Sequence, residues 1–382
     1  MRVADRPANP FHFGALALDK AFTDREAEIR ELSADIRNGQ DVVVFAPRRY
    51  GKSSLVWRVT KVVRARKVLV AHVDLMKTPT KEKLAEKLAD SIYEDVASAL
   101  IRVRERLRVF AGLRIQPVIV VNPRDDSVSF TFAAGHAAED VDATLERLLE
   151  LPAQLAVERN RRVALVFDEF QEVVDIDPEL PKLMRSVFQE QPGVGHVYLG
   201  SKRHMMEQIF NDENEPFWRS AKQLELDVIA PSDFEPYIAE RFQATGRRIA
   251  PEATAALLEI TGGHPYATQE LCYFLWELTP GGRRATAELV EGAMDAVLRS
   301  EHAHFSLVWE RASAAQRLVL QALAEEPGRP LRADYRRRHG LPGPSSVQRA
   351  LEALTRNELA GRRGREYRIV EPFLAEWLVS QA

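Results

Sequence analysis

Residues Asp41–Leu55, with the sequence DVVVFAPRRYGKSSL, decide the fold of this chain. The four apolar residues Val42–Phe45 predict a buried strand, and the apolar spacing over Ser53–Val63 predicts a helix. Gly51 lies in the turn between them. A strand, a turn and a helix in this order present backbone N–H groups at the helix N-terminus, where they can bind phosphate oxygens. The stretch therefore predicts a phosphate-binding loop.

The turn matches the P-loop pattern GxxxxGK[ST], except that Ala46 stands where the first glycine usually lies. In this pattern Gly51 lets the backbone approach the phosphates, Lys52 reaches the β- and γ-phosphates, and the Ser53 hydroxyl binds Mg²⁺. Alanine does not easily adopt a positive φ, so Ala46 is expected to have a negative one. The predicted nucleotide-binding residues are Ala46, Pro47, Arg48, Arg49, Tyr50, Gly51, Lys52, Ser53 and Ser54.

A second apolar run, Val163–Phe167, ends in two carboxylates, Asp168 and Glu169. A hydrophobic strand with this ending matches the Walker B motif that accompanies P-loops. Asp168 is expected to hold Mg²⁺, directly or through water, and Glu169 to polarise the water that attacks the γ-phosphate. The two stretches together predict hydrolysis as well as binding, with ATP and Mg²⁺ as the ligands.

Three further apolar runs, 68–75, 196–200 and 223–229, predict strands of the same α/β core. Ser201 follows the second of these runs and is either a sensor of the γ-phosphate or a plain strand-ending residue. Arg219 precedes the third and is either an arginine finger that senses the nucleotide state or a partner in a surface salt bridge.

Local signals place two other elements of the predicted core. Thr23 and Glu26 form a capping-box pattern, so a helix is predicted to start there and to end at Asn38-Gly39. This helix either covers one edge of the sheet or forms a wall for a nucleotide base. The runs 118–121 and 128–132 flank Asp125-Asp126 and predict a β-hairpin inserted at about 115–135.

Residues 231–300 are predicted to be helical, with one clear interruption at Gly262–Pro265 (GGHP). This turn precedes a helix, so it either presents backbone donors to a nucleotide or serves only as a tight turn between helices.

The last part of the chain changes character. Helices are predicted to start at the caps Ser313-x-x-Gln316 and Ser345-x-x-Gln348, with a further helix between them at 332–339. Two strand-like runs, 359–361 and 367–370, surround a basic tip. Three helices and a hairpin predict a winged helix-turn-helix domain, which either binds DNA or packs against protein. If the domain binds DNA, the contacts are expected from Arg349, Arg362, Arg363 and Arg365.

Charge and composition constrain the possible partners and location. The net charge of −3 gives no signal for nucleic-acid binding by the whole chain, and residues 310–382 carry 13 Arg against 9 acidic residues, a balance of +4. The single cysteine, Cys272, fits a reducing, cytoplasmic location. No apolar run approaches the roughly 20 residues that span a bilayer, so no membrane segment is expected.

The order and spacing of these motifs resemble the archaeal-type ATPase family, a STAND and AAA+-like branch of the P-loop NTPases found in archaea and bacteria. The resemblance extends to the carboxy-terminal winged helix. A glycine often precedes the arginine of the PFWR motif in relatives and is missing here. The matching segments are TDRE at 23–26, FAPRRYGKSSL at 45–55, LVFDEFQEV at 165–173, YLGSKRHMM at 198–206, PFWR at 216–219 and GGHPY at 262–266.

The resemblance implies an α/β P-loop NTPase core with a five-stranded parallel sheet of the additional-strand type and a central P-loop strand. It also implies a helical lid and a winged helix that senses or transmits the nucleotide state. The predicted domains are residues 1–230, 231–305 and 306–382. Catalytic roles are implied for Lys52, Glu169, Ser201 and Arg219, with the arginine acting in cis or in trans.

The expected function is that of an ATP-binding, slowly hydrolysing or partner-stimulated molecular switch that controls its winged helix. The alternative is an ATP-dependent DNA-binding regulator or initiator-like factor, because the domain order is similar to that of archaeal origin-recognition proteins. A protein partner and a nucleotide-dependent oligomer are also expected.

Overall fold

A computed structural model describes residues 7–14, 22–97, 110, 112–122, 128–132 and 135–381. The chain forms two compact units. The first contains Arg25–Ala46 and Lys52–Leu226, and the second contains Met1–Asp24, Pro47–Gly51 and Asp227–Ala382. The five residues at the tip of the P-loop therefore group with the carboxy-terminal part of the chain.

The first unit is built on a five-stranded parallel sheet with the order β2-β5-β6-β1-β7. The predicted α/β fold and the predicted strands are thus confirmed. One expectation was wrong, because the middle strand is β6 and the P-loop strand β1 lies between β6 and β7. The strands of the unit are β1 Val42–Phe45, β2 Leu69–Asp74, β3 Val118–Val121, β4 Val128–Thr131, β5 Val163–Asp168, β6 Val194–Gly200 and β7 Lys222–Glu225.

The predicted hairpin is confirmed, since β3 and β4 pair in antiparallel fashion outside the main sheet. Its turn residues Asp125 and Asp126 lie outside the described residues. The helices of the first unit are α1 Glu26–Asn38, α2 Lys52–Ala65, α3 Lys81–Ser91, α4 Ala138–Arg159, α5 Val173–Ile176, α6 Leu180–Phe188 and α7 Arg203–Asn211. A π-helical turn over Ile92–Ala97 follows α3.

The start of α1 differs from the predicted capping box. The helix begins at Glu26, and its N-cap Arg25 makes no side-chain cap. Asp24 and Arg25 both have positive φ values, 58° and 68°, so the backbone turns left-handed before the helix and Thr23 cannot cap it. The predicted end is confirmed, with Gly39 as a left-handed C-cap.

The second unit is mainly helical and has its own core. Phe11 from the N-terminal segment packs there against Tyr237 and Phe242. Its helices are α8 Pro231–Ala244, α9 Pro251–Thr261, α10 Pro265–Leu278, α11 Ala287–Arg311, α12 Ala314–Glu325, α13 Ala333–Arg338, α14 Pro344–Arg356 and α15 Pro372–Ser380. Short strands β8 Arg248–Ile249 and β9 Arg284–Ala285 pair with each other. The three-domain division stays a prediction, and α11 runs through the predicted boundary at 305/306.

The winged helix consists of α12, α13, α14 and the antiparallel strands β10 Ala360–Arg363 and β11 Glu366–Ile369. The predicted capping box at Ser313 and Gln316 is confirmed in both directions. The second predicted cap was wrong, because Gly343 is the N-cap of α14 and Pro344 is its first residue. Proline suits that position because the first helical N–H has no partner within the helix. No described helix is long and apolar enough to span a bilayer.

Candidate nucleotide-binding site and its comparison with known proteins

The backbone of the P-loop turns at two left-handed residues. Arg49 has a φ of 65° and Gly51 a φ of 83°. Glycine adopts this conformation without strain, whereas the arginine accepts some strain. Ala46 is not among the described residues with a positive φ, so its methyl group is accommodated at the end of β1 as expected.

Lys52 and Ser53 lie at the start of α2, where the motif requires them. Lys52 is only 7% exposed, and its ammonium group donates to the carbonyl oxygen of Ala46 at 2.7 Å. The Ser53 hydroxyl donates to Oδ2 of Asp168 at 3.2 Å. The structure thus brings the predicted serine and aspartate of the two motifs together and holds the predicted lysine against the end of β1.

Asp168 ends β5 and is half-buried. Burial raises the pKa of its carboxyl group and the neighbouring Glu169 raises it further, while His72 and the hydrogen bond from Ser53 lower it. A divalent cation would offset the cost of keeping this buried carboxylate ionised.

The donor set fits Mg²⁺, because hydroxyl and carboxylate oxygens are the ligands that this hard ion prefers. The described residues contain no group of three or more His, Cys, Asp or Glu side chains that could form a metal site by themselves. The Ser53–Asp168 pair would therefore hold the ion together with water and phosphate oxygens, as is usual for Mg²⁺.

Glu169 has a left-handed backbone with a φ of 52°, and its side chain is firmly held. Its Oε2 accepts hydrogen bonds from Ser201 Oγ at 2.7 Å and from Gln171 Nε2 at 2.6 Å. Ser201 follows β6 and is buried. The structure therefore brings two predicted catalytic residues together, while the role of Ser201 as a sensor stays a prediction.

Arg219 does not join this cluster. It lies in the turn before β7, is exposed, and uses its backbone N–H to bond Phe210. No carboxylate in the described ranges lies within ion-pair distance of its guanidinium, which sits 5.8 Å from the Trp218 ring. The expected surface salt bridge is therefore not formed, and the arginine-finger role stays a prediction.

The P-loop tip makes a second set of contacts within the carboxy-terminal unit. Arg48 Nε lies 3.2 Å from Oε2 of Glu358, and Arg49 Nη1 lies 3.2 Å from Oε2 of Glu371. Both carboxylates lie in the predicted winged-helix domain 306–382: Glu358 lies just after α14, and Glu371 directly precedes α15 without a side-chain capping bond. Sequence reasoning missed these partners, because no local pattern marks them.

Two residues of the segment GGHPY, His264 and Tyr266, complete the surroundings of the tip. The Arg49 guanidinium stacks on the Tyr266 ring, 4.3 Å from its centroid. The Tyr50 ring meets His264 edge to face, with centroids 4.7 Å apart. His264 caps α10 by accepting the N–H of Ala267, and burial together with Arg49 lowers its pKa to about 4. A neutral His264 therefore serves as a cap at the pH of the cell.

Several acidic side chains surround Arg49. Burial raises the pKa of Glu371, Arg49 lowers it and Glu301 raises it again. Glu270 on α10 is fully buried, and burial raises its pKa to about 8, with further contributions from Glu301 and Glu371. Arg49 is thus the counter-charge for several carboxylates at once.

The predicted DNA-contacting arginines are exposed on the winged helix. Arg349 lies on α14, Arg362 and Arg363 lie in β10, and Arg365 lies in the turn that follows. Arg363 faces Asp227 at 3.7 Å. Arg349 donates to the carbonyl of Ser345 within its own helix.

Comparison with protein families gives two matches. Residues 22–271 match a model described as an ATPase domain predominantly from Archaea. Residues 303–380 match a model described as a probable winged helix domain. No curated protein shows significant sequence similarity to the chain.

Several solved structures superpose on the chain at low sequence identity, and the first of them shows the fold. The Walker-type ATPase PABY2304 of Pyrococcus abyssi superposes with a TM-score of 0.66 at 16% identity, covering 95% of this chain and 97% of that one. The ORC2 protein of Aeropyrum pernix in its ADP form gives 0.48 at 16% identity, covering 95% and 96%. The ORC1 protein of the same organism in complex with DNA gives 0.47 at 14%, covering 95% and 94%.

Proposed function

Because the chain belongs to the family of ATPase domains found predominantly in Archaea, we propose that it binds ATP, hydrolyses it with Mg²⁺, and uses the nucleotide state to control its winged helix. The observation that carries this proposal is that one loop makes two separate sets of contacts. The P-loop supplies Lys52 and Ser53 to the predicted phosphate site, while its arginines Arg48 and Arg49 pair with the winged-helix carboxylates.

The hydrolytic part of the proposal assigns one role to each side chain of the cluster. Mg²⁺ supplies charge neutralisation of the phosphates when it is bound. Lys52 adds a positive charge, Ser53 and Asp168 hold the ion, and Glu169 takes a proton from the attacking water. A general base must lie within hydrogen-bond reach of the proton that it accepts. The hydrogen bonds that hold the Glu169 side chain in one orientation support this role, because they keep its carboxylate in place for the water.

The switching part of the proposal follows from competition for Arg49. We expect phosphate oxygens at the loop and the Glu371 carboxylate to attract the same guanidinium, so that binding of one weakens binding of the other. The ion pair is partly exposed, with 38% of the Arg49 side chain and 19% of the Glu371 side chain accessible, so the competition is worth about 1 kcal/mol. By linkage, the winged helix must then affect ATP affinity as much as ATP affects the winged helix.

A pair of loop and Walker B variants tests the nucleotide site. Lys52→Ala should abolish ATP binding, whereas Glu169→Gln should retain binding and lose hydrolysis. Binding is measured by calorimetry and hydrolysis by phosphate release. Unchanged ATP binding by the Lys52→Ala protein would refute the assignment of the nucleotide site.

A winged-helix variant tests the switch. Glu371→Gln should tighten ATP binding by about fivefold, because a partly exposed ion pair contributes about 1 kcal/mol to holding Arg49. Glu376→Gln on the same helix is the matched control, since Glu376 is exposed and has no ion-pair partner among the described residues. Equal ATP affinity in the Glu371→Gln protein and the wild type would refute the competition.

Arg219 is proposed to complete the site in cis or in trans, because its exposed guanidinium has no carboxylate partner in the described ranges. A specific ATPase activity that rises with protein concentration, and that falls in Arg219→Ala, would indicate a site shared within a nucleotide-dependent oligomer. A specific activity that changes neither with protein concentration nor in Arg219→Ala excludes the trans role.

DNA binding by the winged helix is the second candidate function, and the exposed arginines of β10 and its turn favour it. Replacing Arg362, Arg363 and Arg365 by alanine should weaken binding in a mobility-shift assay and reduce the salt slope by roughly one per lost phosphate contact. No affinity for DNA even at low salt would remove this candidate.

A further inference from the structure

Gln171 has a buried side chain that neither motif explains. It lies in the 3₁₀ turn Phe170–Glu172 that follows β5, and no part of its surface is exposed. Its amide nitrogen donates to Oε2 of Glu169 at 2.6 Å and to Oε1 of Glu172 at 3.2 Å. A buried amide therefore uses both of its N–H groups on two carboxylates.

The orientation of this amide is determined by charge. With the nitrogen towards the carboxylates, both N–H groups are satisfied, while the opposite orientation would place the amide oxygen against two acidic groups. The amide oxygen has no hydrogen-bond partner and is buried. Leaving a buried acceptor without a hydrogen bond costs free energy. The fold accepts this cost at the Gln171 oxygen and keeps the hydrogen bond from the Gln171 nitrogen to Glu169.

Donors converge on a single oxygen of Glu169. Besides Gln171, Oε2 accepts the Ser201 hydroxyl at 2.7 Å and the Ser201 backbone N–H at 3.4 Å. No donor of the described residues reaches Oε1. One oxygen is thus fixed by two side chains and a backbone group, while the other is left available to a water molecule.

Gly200 at the end of β6 makes the space for this arrangement. A Cβ atom there would lie 2.7 Å from Oε1 of Gln171 and 2.4 Å from both Cγ and Sδ of Met206. The end of β6 therefore contributes twice: Ser201 contacts Glu169, and the missing side chain of Gly200 leaves space for the Gln171 amide.

We propose that Gln171 is a positioning residue for ATP hydrolysis: it holds Oε2 of Glu169 so that Oε1 faces the attacking water. The inference rests on the hydrolytic part of the proposed function. Oε1 accepts the proton of the water as the oxygen of that water bonds to the γ-phosphorus and the ADP oxygen leaves.

Gln171→Met tests this role, because methionine is similar in size and has no N–H donor. The value of kcat should fall about tenfold, since a hydrogen bond to a charged group is lost and Glu169 gains rotational freedom. KM for ATP should stay unchanged, because Gln171 does not touch the phosphate-binding residues.

Gln191→Met is the matched control. Gln191 is also buried, donates through Nε2 to the Leu149 carbonyl at 2.9 Å and has an unsatisfied Oε1. Its loss should cost comparable stability while leaving kcat as in the wild type. A purely structural role of Gln171 predicts that the two variants behave alike.

A measurement without turnover separates this inference from the proposed function. The mobility of the Glu169 side chain, measured by ¹³C NMR relaxation and assigned with Glu169→Gln, should rise in Gln171→Met and not in Gln191→Met. A wild type that binds ATP without hydrolysing it contradicts the proposed hydrolysis. An unchanged mobility of Glu169 in Gln171→Met overturns the positioning role, as does an unchanged or increased kcat in a variant that still binds ATP.

Discussion

Glu270 is a fully buried carboxyl group, neither oxygen of which has a hydrogen-bond partner among the described residues, and we expect it to make the stability of the protein depend on pH. Burial raises its pKa from 4.5 to about 8. The carboxylates of Glu301 and Glu371 contribute in the same direction, and Arg49 opposes them. The folded protein therefore holds a proton on Glu270 at neutral pH.

The sign of the pH dependence follows from the raised pKa. The folded state binds the proton more tightly than the unfolded chain, so Glu270 stabilises the fold at low pH. This contribution is lost as the pH rises from 4.5 towards 8. One pKa unit corresponds to about 1.4 kcal/mol, so the rise from about pH 6 to about pH 9 removes roughly 3 kcal/mol.

Glu270→Gln isolates this contribution, because the amide keeps the shape of the side chain and does not titrate. Any cost of burying the amide is the same at every pH. Relative to this variant, the free energy of unfolding of the wild type should fall by roughly 3 kcal/mol between about pH 6 and about pH 9. Urea denaturation followed by tryptophan fluorescence measures it.

The control is Glu259→Gln, which changes an exposed glutamate on the neighbouring helix α9. Its difference from the wild type should not vary over this range. If the difference between the wild type and Glu270→Gln also stays constant within about 1 kcal/mol, Glu270 titrates like an exposed residue and the reasoning from burial is refuted.

Two further substitutions test the turn before α10 and the metal site. Gly263→Ala should destabilise the fold by at least about 2 kcal/mol more than Gly246→Ala in thermal denaturation, because both glycines have positive φ but only at Gly263 would a Cβ lie 2.2 Å from the Ile229 carbonyl oxygen. Equal losses would contradict the predicted clash. Ser53→Ala should raise the Mg²⁺ concentration for half-maximal ATPase activity by about tenfold, since one oxygen ligand is lost, and an unchanged Mg²⁺ titration would show that Ser53 is not a ligand.

The core and the clustered motif residues could be predicted from the sequence, because both depend on local patterns. Strands β1 and β5 are buried along almost their whole length, so they appear as continuous apolar runs. The carboxyl ends of parallel strands meet at one edge of the sheet. This is why residues as far apart in sequence as Ser53 and Asp168 could be placed together in advance.

The capping-box error shows where local patterns fail. The sequence around Thr23 matches the pattern, but two consecutive residues with positive φ change the direction of the chain before α1. Polar residues at a helix start indicate a cap only when the backbone can bring the side chain to the free N–H groups. Such conformations depend on tertiary packing, which the local sequence does not contain.

The partners of the loop arginines could not be predicted for a different reason. Arg49 and Glu371 are 322 positions apart, and an ion pair between surface-type residues leaves no periodic signal in either segment. Gln171 lies within the quoted segment LVFDEFQEV, yet an amide has no chemistry of its own that identifies it. Its role becomes visible only when the turn after β5 places it against Glu169.

The variable positions of the P-loop explain how one loop can serve two purposes. Backbone N–H groups bind phosphate whatever the side chains are, so the four positions between Ala46 and Gly51 are free to carry other contacts. Three of them do so here, through the ion pairs of Arg48 and Arg49 and the contact of Tyr50 with His264. Under the proposed function, a nucleotide that rearranges the loop backbone would move these side chains too, so the proposed coupling to the winged helix would need no additional element.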